Sequence, residues 1–254
     1  MEWTSLCRAF LLWFCSTCDA QGRLPWLFDD ANDDNLPHRE IWTQVLHVGD
    51  RIDVSASSVE VDQMGRELVF GELTPKGVRQ LLETTDMRAD DFFLDLGSGT
   101  GIAVLLVASL LPPPSKATGI EFAKSRHQVA MERYQLLRET IEATRESHSN
   151  SKNAEDRVQF FNGDFLDPKW LPSFQDATVV FSNSIMFGEE TEKGIHKMIT
   201  TLLPRVRFVV SGIRFHDQCY QQHLDVSWGS DTFSLWACDL TTKMMNITTI
   251  ADEL

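Results

Sequence analysis

The sequence predicts an α/β fold: a mostly parallel sheet with helices on both faces, preceded by a small, mainly helical N-terminal appendage. Three observations point to it. From Phe92 onward, short β-rich runs alternate with segments of helical period, the pattern of a parallel sheet covered on both sides. The first of these runs, FLDLGSGTG from Phe93 to Gly101, breaks into three glycines at every second position, and an apolar stretch from Ile102 to Leu111 follows at once. That is strand, tight turn and helix. Acidic or amide residues also stand where successive strands end, at Asp95, Glu121, Asp164 and Asn183, and open parallel sheets bind ligands beyond those ends.

The 254 residues allow one large domain with a smaller appendage. We place the boundary near residue 68, giving an appendage over 1–68 and a main domain over 69–254. Hydrophobic residues at 43% and charged residues at 24% are ordinary for a globular protein. The formal charge of −14 is not that of a nucleic-acid binder, and no strong DNA-binding segment is visible. A basic protein would be a better match. The five cysteines, at positions 7, 15, 18, 219 and 238, form no paired framework, so free thiols in a reducing compartment are expected. Cys15 and Cys18 make half a zinc site at most, and no metal is expected. No stretch reaches the length of a membrane span. The apolar run Ala9–Cys15 reads as a buried helix rather than a signal peptide. The terminal Ala251-Asp252-Glu253-Leu254 and the Asn246 sequon read as coincidences.

In chain order, Asp29–Asn35 is an acidic loop. His38–Val48 then places Ile41, Trp42, Val45 and Leu46 on one helical face. Thr74 and Pro75 start a helix, the hydroxyl as N-cap and the proline in the first turn, with Val78, Leu81 and Leu82 as its apolar face. Just before it, Glu72 interrupts the apolar run Val69–Leu73. A buried acid needs a partner or a ligand. After the glycine turn, Lys116–Glu121 is a second strand, and Ala130, Tyr134, Leu137 and Ile141 mark the helix behind it. A polar loop covers Thr144–Arg157. Arg157–Phe161 is a third strand leading to Gly163-Asp164-Phe165, and Ala177–Ser182 a fourth, ending at Asn183. Ile195, Met198, Ile199, Leu202 and Leu203 mark another helix, Val206–Val210 a fifth strand, and Leu224–Leu240 a closing hairpin around Gly229.

Two ligand chemistries compete for the glycine turn. A dinucleotide site favours G-x-G-x-x-G and a pyrophosphate at the helix start. Here the spacing is Gly97-x-Gly99-x-Gly101, and Asp95 would repel a pyrophosphate while suiting a cationic or zwitterionic ligand such as S-adenosylmethionine. In that reading Glu121 accepts from both ribose hydroxyls, and Asp164 from the adenine amino group with Phe165 against the ring. Asp95 and the Gly97–Gly101 backbone, Ser98 included, hold the amino-acid end.

These segments resemble the disruptor-of-telomeric-silencing (Dot1-like) family of histone H3 lysine methyltransferases, whose fold is not the SET fold. The matching pieces are VFGE at Val69–Glu72, FLDLGSGTG, GIE at Gly119–Glu121, GDFL at Gly163–Leu166, NSIMFGEE at Asn183–Glu190 and VSW at Val226–Trp228. The resemblance implies a class I S-adenosylmethionine-dependent methyltransferase, Rossmann-like with a seven-stranded sheet. It would transfer a methyl group to a lysine in the globular core of histone H3 on nucleosomes, and so act in the nucleus. It adds Glu72 to the donor residues, which already include Asn183, sets Asn183 between donor and lysine channel to orient the amine, and makes Phe187, Trp228 and Phe70 the candidate channel walls. The sequence departs from the family at Phe70, where tyrosine is usual, at Leu73, where threonine is usual, at Ser184, the second of an asparagine pair, and at Leu235, where a channel tyrosine is expected. The family's lysine-rich extension is missing. The other functions weighed are a methyltransferase of another protein or a small molecule, a catalytically silent donor-binding scaffold and, least favoured, a nicotinamide-dependent enzyme. Nothing in the sequence bears on oligomeric state.

Overall fold

The computed structural model describes residues 45, 72–111, 115–144, 157–184, 187–226 and 233–241. Within them lie helix α1 (Pro75–Thr85), strand β1 (Phe92–Leu96), α2 (Ile102–Leu110), β2 (Lys116–Glu121), α3 (Lys124–Thr144), β3 (Val158–Asn162), the short α4 (Leu171–Phe174), β4 (Val179–Ser182), α5 (Glu189–Lys197), β5 (Phe208–Ser211), β6 (Tyr220–Leu224) and β7 (Phe233–Asp239). The seven strands form one sheet in the order β3-β2-β1-β4-β5-β7-β6. All neighbours from β3 to β5 are parallel, while β7 runs antiparallel to both β5 and β6. The chain therefore winds outward from β1 to β3, then returns to lay β4 on the other side of β1. That reversal opens a crevice at the carboxyl ends of β1 and β4. This is the class I methyltransferase fold expected from the sequence.

Alternation along the strands divides the core between the two faces. Phe93, Ala117, Val179, Val210 and Ala237 face one cluster with α1 and α2, while Leu94, Leu96, Ile120, Val180 and Val209 face the other with α5. Helix α2 is buried nearly all round, as its unbroken apolar run requires. Its last turn is gripped by Arg157, whose Nη2 donates to the Ala108 and Leu111 carbonyls at 3.0 and 2.7 Å, a cation at the negative end of the helix. Helix α1 starts as expected, with the Thr74 hydroxyl accepting from the Gly77 amide at 3.1 Å.

At the amino-terminal ends of the strands, Asp91 ties three segments together. It accepts from Arg207 Nη2 at 2.5 Å, from the Thr178 hydroxyl at 2.6 Å and from the Arg88 amide at 2.7 Å. Burial pushes its carboxyl up, but these bonds and the Arg207 charge outweigh that and hold it below the usual range.

The structure shifts several expected boundaries. β3, β4 and β5 each begin one or two residues later than the hydrophobic runs suggest. The helix expected around Ile195–Leu203 starts at Glu189 and closes in a π-helical turn, Met198–Leu202. The closing hairpin forms, with its first strand at Tyr220–Leu224, ahead of the expected stretch. The expectation of free thiols is corrected for two residues: Cys219 and Cys238 are bonded as a disulfide. The β6–β7 pairing brings their Cα atoms to 4.4 Å, within disulfide reach, and nothing in a spacing of 19 residues signals this. Phe70, Trp228, the acidic loop Asp29–Asn35 and most of the helix predicted over His38–Val48 lie outside the described residues; Val45 alone of that helix is described, helical and buried.

Candidate active site

A small cleft lies in the crevice at the carboxyl ends of β1 and β4. Strand β1 and its turn supply Asp95, Gly97, Ser98 and Gly99. Glu72 and Leu73 come from the segment before α1, Ala103 from α2, Phe181 and Asn183 from the end of β4, and Val226 and Leu235 from the closing hairpin. Of the sequence-predicted residues, the cleft thus joins Glu72, Asp95, Gly97, Ser98, Gly99 and Asn183. Gly101, Glu121, Asp164, Phe165 and Phe187 are outside its lining. Phe165 is buried and packs against Phe187, ring centroids 5.8 Å apart. Asp164 Oδ1 accepts from the Leu166 amide at 2.9 Å.

The glycine turn is held by its own neighbours. The amides of Gly97 and Ser98 both donate to the Ile120 carbonyl, at 2.9 and 3.0 Å, and that of Gly101 to Ser98 O at 2.9 Å. The Gly99 amide donates to Glu121 Oε2 at 2.9 Å and the Thr100 amide to Glu72 Oε1 at 3.0 Å. Every amide from Gly97 to Gly101 therefore has an acceptor inside the protein. Gly101 is left-handed, with φ of 83°, and a Cβ there would stand 2.7 Å from the Phe160 ring and 2.9 Å from Ala130. Protein packing requires this glycine.

What remains without a partner are side-chain atoms. Asp95 Oδ1 and Ser98 Oγ are buried and make no hydrogen bond, and buried polar atoms in native proteins normally have partners. Burial, with the nearby Glu121 and Glu72, raises Asp95 well above the usual carboxyl range. Glu121 is also pushed up by burial, against the pull of the Ala123 and Gly99 amides and of Arg126. Its Oε1 accepts from the Ala123 amide at 2.9 Å. A carboxylate offers about four lone-pair sites, so two bonds leave Glu121 capacity for hydroxyl donors. Mutually repelling acids around an orphaned oxygen fit a ligand that carries positive charge and donors.

The end of β4 is fixed on both sides of Asn183. The Ser182 hydroxyl donates to Leu96 O at 3.1 Å, and Ser184 Oγ accepts from the Gly212 amide at 3.0 Å. Ser184, fully buried, thus joins the ends of β4 and β5. Leu235, also buried, and Val226 wall the far side of the cleft with aliphatic surface. Val226 bridges to Leu73, and the Thr74 hydroxyl donates to Asp225 Oδ2, so the segment before α1 and the hairpin form one wall.

Sequence reasoning missed Ala103 and Phe181 as lining residues, and the roles of Thr100 and Arg133 altogether. Arg133 had a signal: it falls three residues after Ala130 and one before Tyr134, on the apolar face of α3.

The family model described as histone methylation protein DOT1 matches residues 51–233, starting within the segment assigned to the appendage. The chain is 27% identical over 119 residues to the H3 lysine-79 specific histone-lysine N-methyltransferase of Caenorhabditis elegans, covering 46% of this chain and 12% of that one. It is 27% identical over 143 residues to the enzyme of the same name from Drosophila melanogaster, covering 56% of this chain and 7% of that one. The chain therefore spans only a small part of the length of either relative. Among solved structures, an O-methyltransferase from Bacillus cereus is similar with a TM-score of 0.44 at 14% identity, over 70% of this chain and 68% of that one.

Proposed function

We propose, on the premise that this chain belongs to the DOT1 family of histone methylation proteins, that it transfers the methyl group of S-adenosylmethionine to the ε-amine of a lysine in the globular core of histone H3 in nucleosomes. The observation that carries this reading is the orphaned Asp95 Oδ1 beneath the glycine turn, in a cleft shared with Glu72 and Asn183 and inside the region matched by the family. In the same reading, residues 69–254 form the transferring domain, residues 1–68 an appendage, and the protein acts in the nucleus.

When bound, S-adenosylmethionine supplies an electrophilic methyl on a cationic sulfur. Asp95 and Ser98 receive its amino-acid end, Glu72 and the glycine turn flank it, Glu121 holds the ribose hydroxyls, and Asp164 with Phe165 holds the adenine. In-line displacement depends mainly on position. The amine must lose a proton from a reference pKa of about 10.4, and an apolar channel lowers that value. Leu235, Val226 and Phe181 give the cleft such a wall, and the family resemblance assigns Phe187, Phe70 and Trp228 to the same channel. Asn183 presents a side-chain oxygen that orients the neutral amine. No residue is assigned as a general base.

The test is transfer of labelled methyl from S-adenosylmethionine to recombinant nucleosomes, with free histones and the Asp95→Ala variant alongside. Label on H3 that disappears in the variant is the expected result. A protein that binds the donor yet labels only other proteins or small molecules would overturn the substrate assignment. Leu235, in place of the family's channel tyrosine, is the residue that would account for such a change.

A further inference from the structure

We propose that Arg133 is a positioning residue for the donor site, fixing Glu72 and the glycine turn through one buried guanidinium; the inference rests on the donor reading above. Arg133 is 3% exposed and lies on α3, one turn beyond the Ala130 methyl that abuts Gly101. Its Nη1 donates to the Thr100 carbonyl at 3.2 Å and to the Thr100 hydroxyl oxygen. The same nitrogen lies 3.4 and 3.3 Å from the two carboxylate oxygens of Glu72. Its Nε donates to the Val45 carbonyl at 3.0 Å. The Thr100 hydroxyl in turn donates to Glu72 Oε1. Guanidinium, hydroxyl and carboxylate thus form a relay that ends on a residue lining the cleft.

The physical need is specific. Thr100 lies between Gly99 and Gly101, both left-handed, where no strand ladder or helix fixes the backbone. Arg133 supplies a donor to the Thr100 carbonyl at that point. Glu72 shares the cleft with Asp95, and the charge of Glu72 bears on both Asp95 and Glu121. Without a counter-charge, Glu72 would be repelled from these acids and lose its fixed place beside the turn. A guanidinium supplies charge and several donors in one plane, which an ammonium cannot. Arg133 also reaches Val45, which lies outside the 51–233 region matched by the family. One side chain therefore ties a residue preceding that region to the donor turn.

The experiment measures donor affinity by calorimetry with S-adenosylmethionine, and donor KM and kcat for H3 labelling. The proteins are wild type, Arg133→Met, Arg133→Lys, Glu72→Gln and the Arg133→Lys/Glu72→Gln double variant. Arg133→Met is expected to weaken donor affinity at least ten-fold and raise donor KM in parallel, with kcat at saturating donor within about two-fold. Arg133→Lys should recover part of the loss. The Lys and Gln variants should couple, the double variant binding at least five-fold better than the product of the single losses requires. Should Arg133→Met not fold, the coupling decides alone. Wild-type affinity in Arg133→Met, or losses that simply multiply, would overturn the assignment. Wild-type protein that binds no donor would refute the donor reading itself and is distinguished by that control.

Discussion

Gly119→Ala puts the packing of β2 against the donor turn to a direct test. Gly119 has an ordinary strand backbone, so alanine brings no conformational strain there. A Cβ would, however, meet Ser98 Oγ at 2.6 Å, Ser98 Cβ at 2.7 Å and Val104 Cγ2 at 2.9 Å. Ordinary contact begins near 3.4 Å, so Ser98 must retreat by about 0.8 Å, the difference between 3.4 and 2.6. It cannot swing away freely, since its backbone amide is bonded to Ile120 O in the residue next to Gly119. Overpacking of this kind costs about 1–3 kcal/mol. In a domain of this size that lowers Tm by roughly 2–12 °C, at about 2–4 °C per kcal/mol. Misplacement approaching 1 Å in a site costs on the order of 100-fold in rate, so the loss of activity should exceed the loss of stability. The assay is a calorimetric melt of the unliganded protein, with donor titration and initial rates on H3. Ser98→Gly in the same chain removes two of the three clashes and should restore part of the lost stability. A Gly119→Ala protein with unchanged Tm and donor affinity within two-fold of wild type would refute the packing described here.

Asp95 predicts a pH dependence. Its carboxyl is raised by burial first and by Glu121 and Glu72 next, so in the unliganded protein it takes up its charge above the usual carboxyl range. Donor affinity should go on rising with pH where an ordinary aspartate is already ionised, with a proton released on binding, and Asp95→Asn should remove both effects in calorimetry. The sign for stability is opposite: a raised pKa gives a contribution complete below the unfolded value and lost as pH rises through the folded one. Asp91 is depressed, so its contribution is present at neutral pH and lost as pH falls through its folded pKa. Arg207→Met leaves that buried carboxylate short of its cation and should cost about 3 kcal/mol, with an earlier acid unfolding midpoint by circular dichroism. Reduction of Cys219–Cys238, which closes a loop spanning 19 residues, should cost about 3 kcal/mol, read as a lower melting temperature in dithiothreitol and absent in the Cys219→Ala/Cys238→Ala variant.

Part of the cleft was legible because its signals are local. A strand, a glycine turn and an apolar helix follow one another in FLDLGSGTG, and Asp95 and Asn183 each stand at the end of an apolar run; Glu121 and Asp164, read in the same way, lie outside the lining. Glu72 was legible as an acid that needed a partner, but the partner, Arg133, is 61 residues away and only the fold brings it there. The loop amides were expected to hold ligand. Ile120, Glu121 and Glu72 take them instead, because pairing across β1 and β2 places Ile120 and Glu121 beside the turn and the segment before α1 brings Glu72 there. The far wall was least legible. Val226 and Leu235 reach the cleft through a hairpin whose second strand enters the sheet between β5 and β6, and hydrophobic alternation carries no information about that order.

That order also sets a sequence of assembly. β6 is made before β7, yet among the described strands its only neighbour is β7, so within them it has no partner until the next strand has been synthesised. The parallel strands β1 to β5 need no such wait. Val226 and Leu235 can take their place only once β7 has been made, after every strand that carries Asp95, Glu121 and Asn183. In the proposed reading, the wall that would meet an incoming amine is therefore completed by the last strand of the sheet to be made.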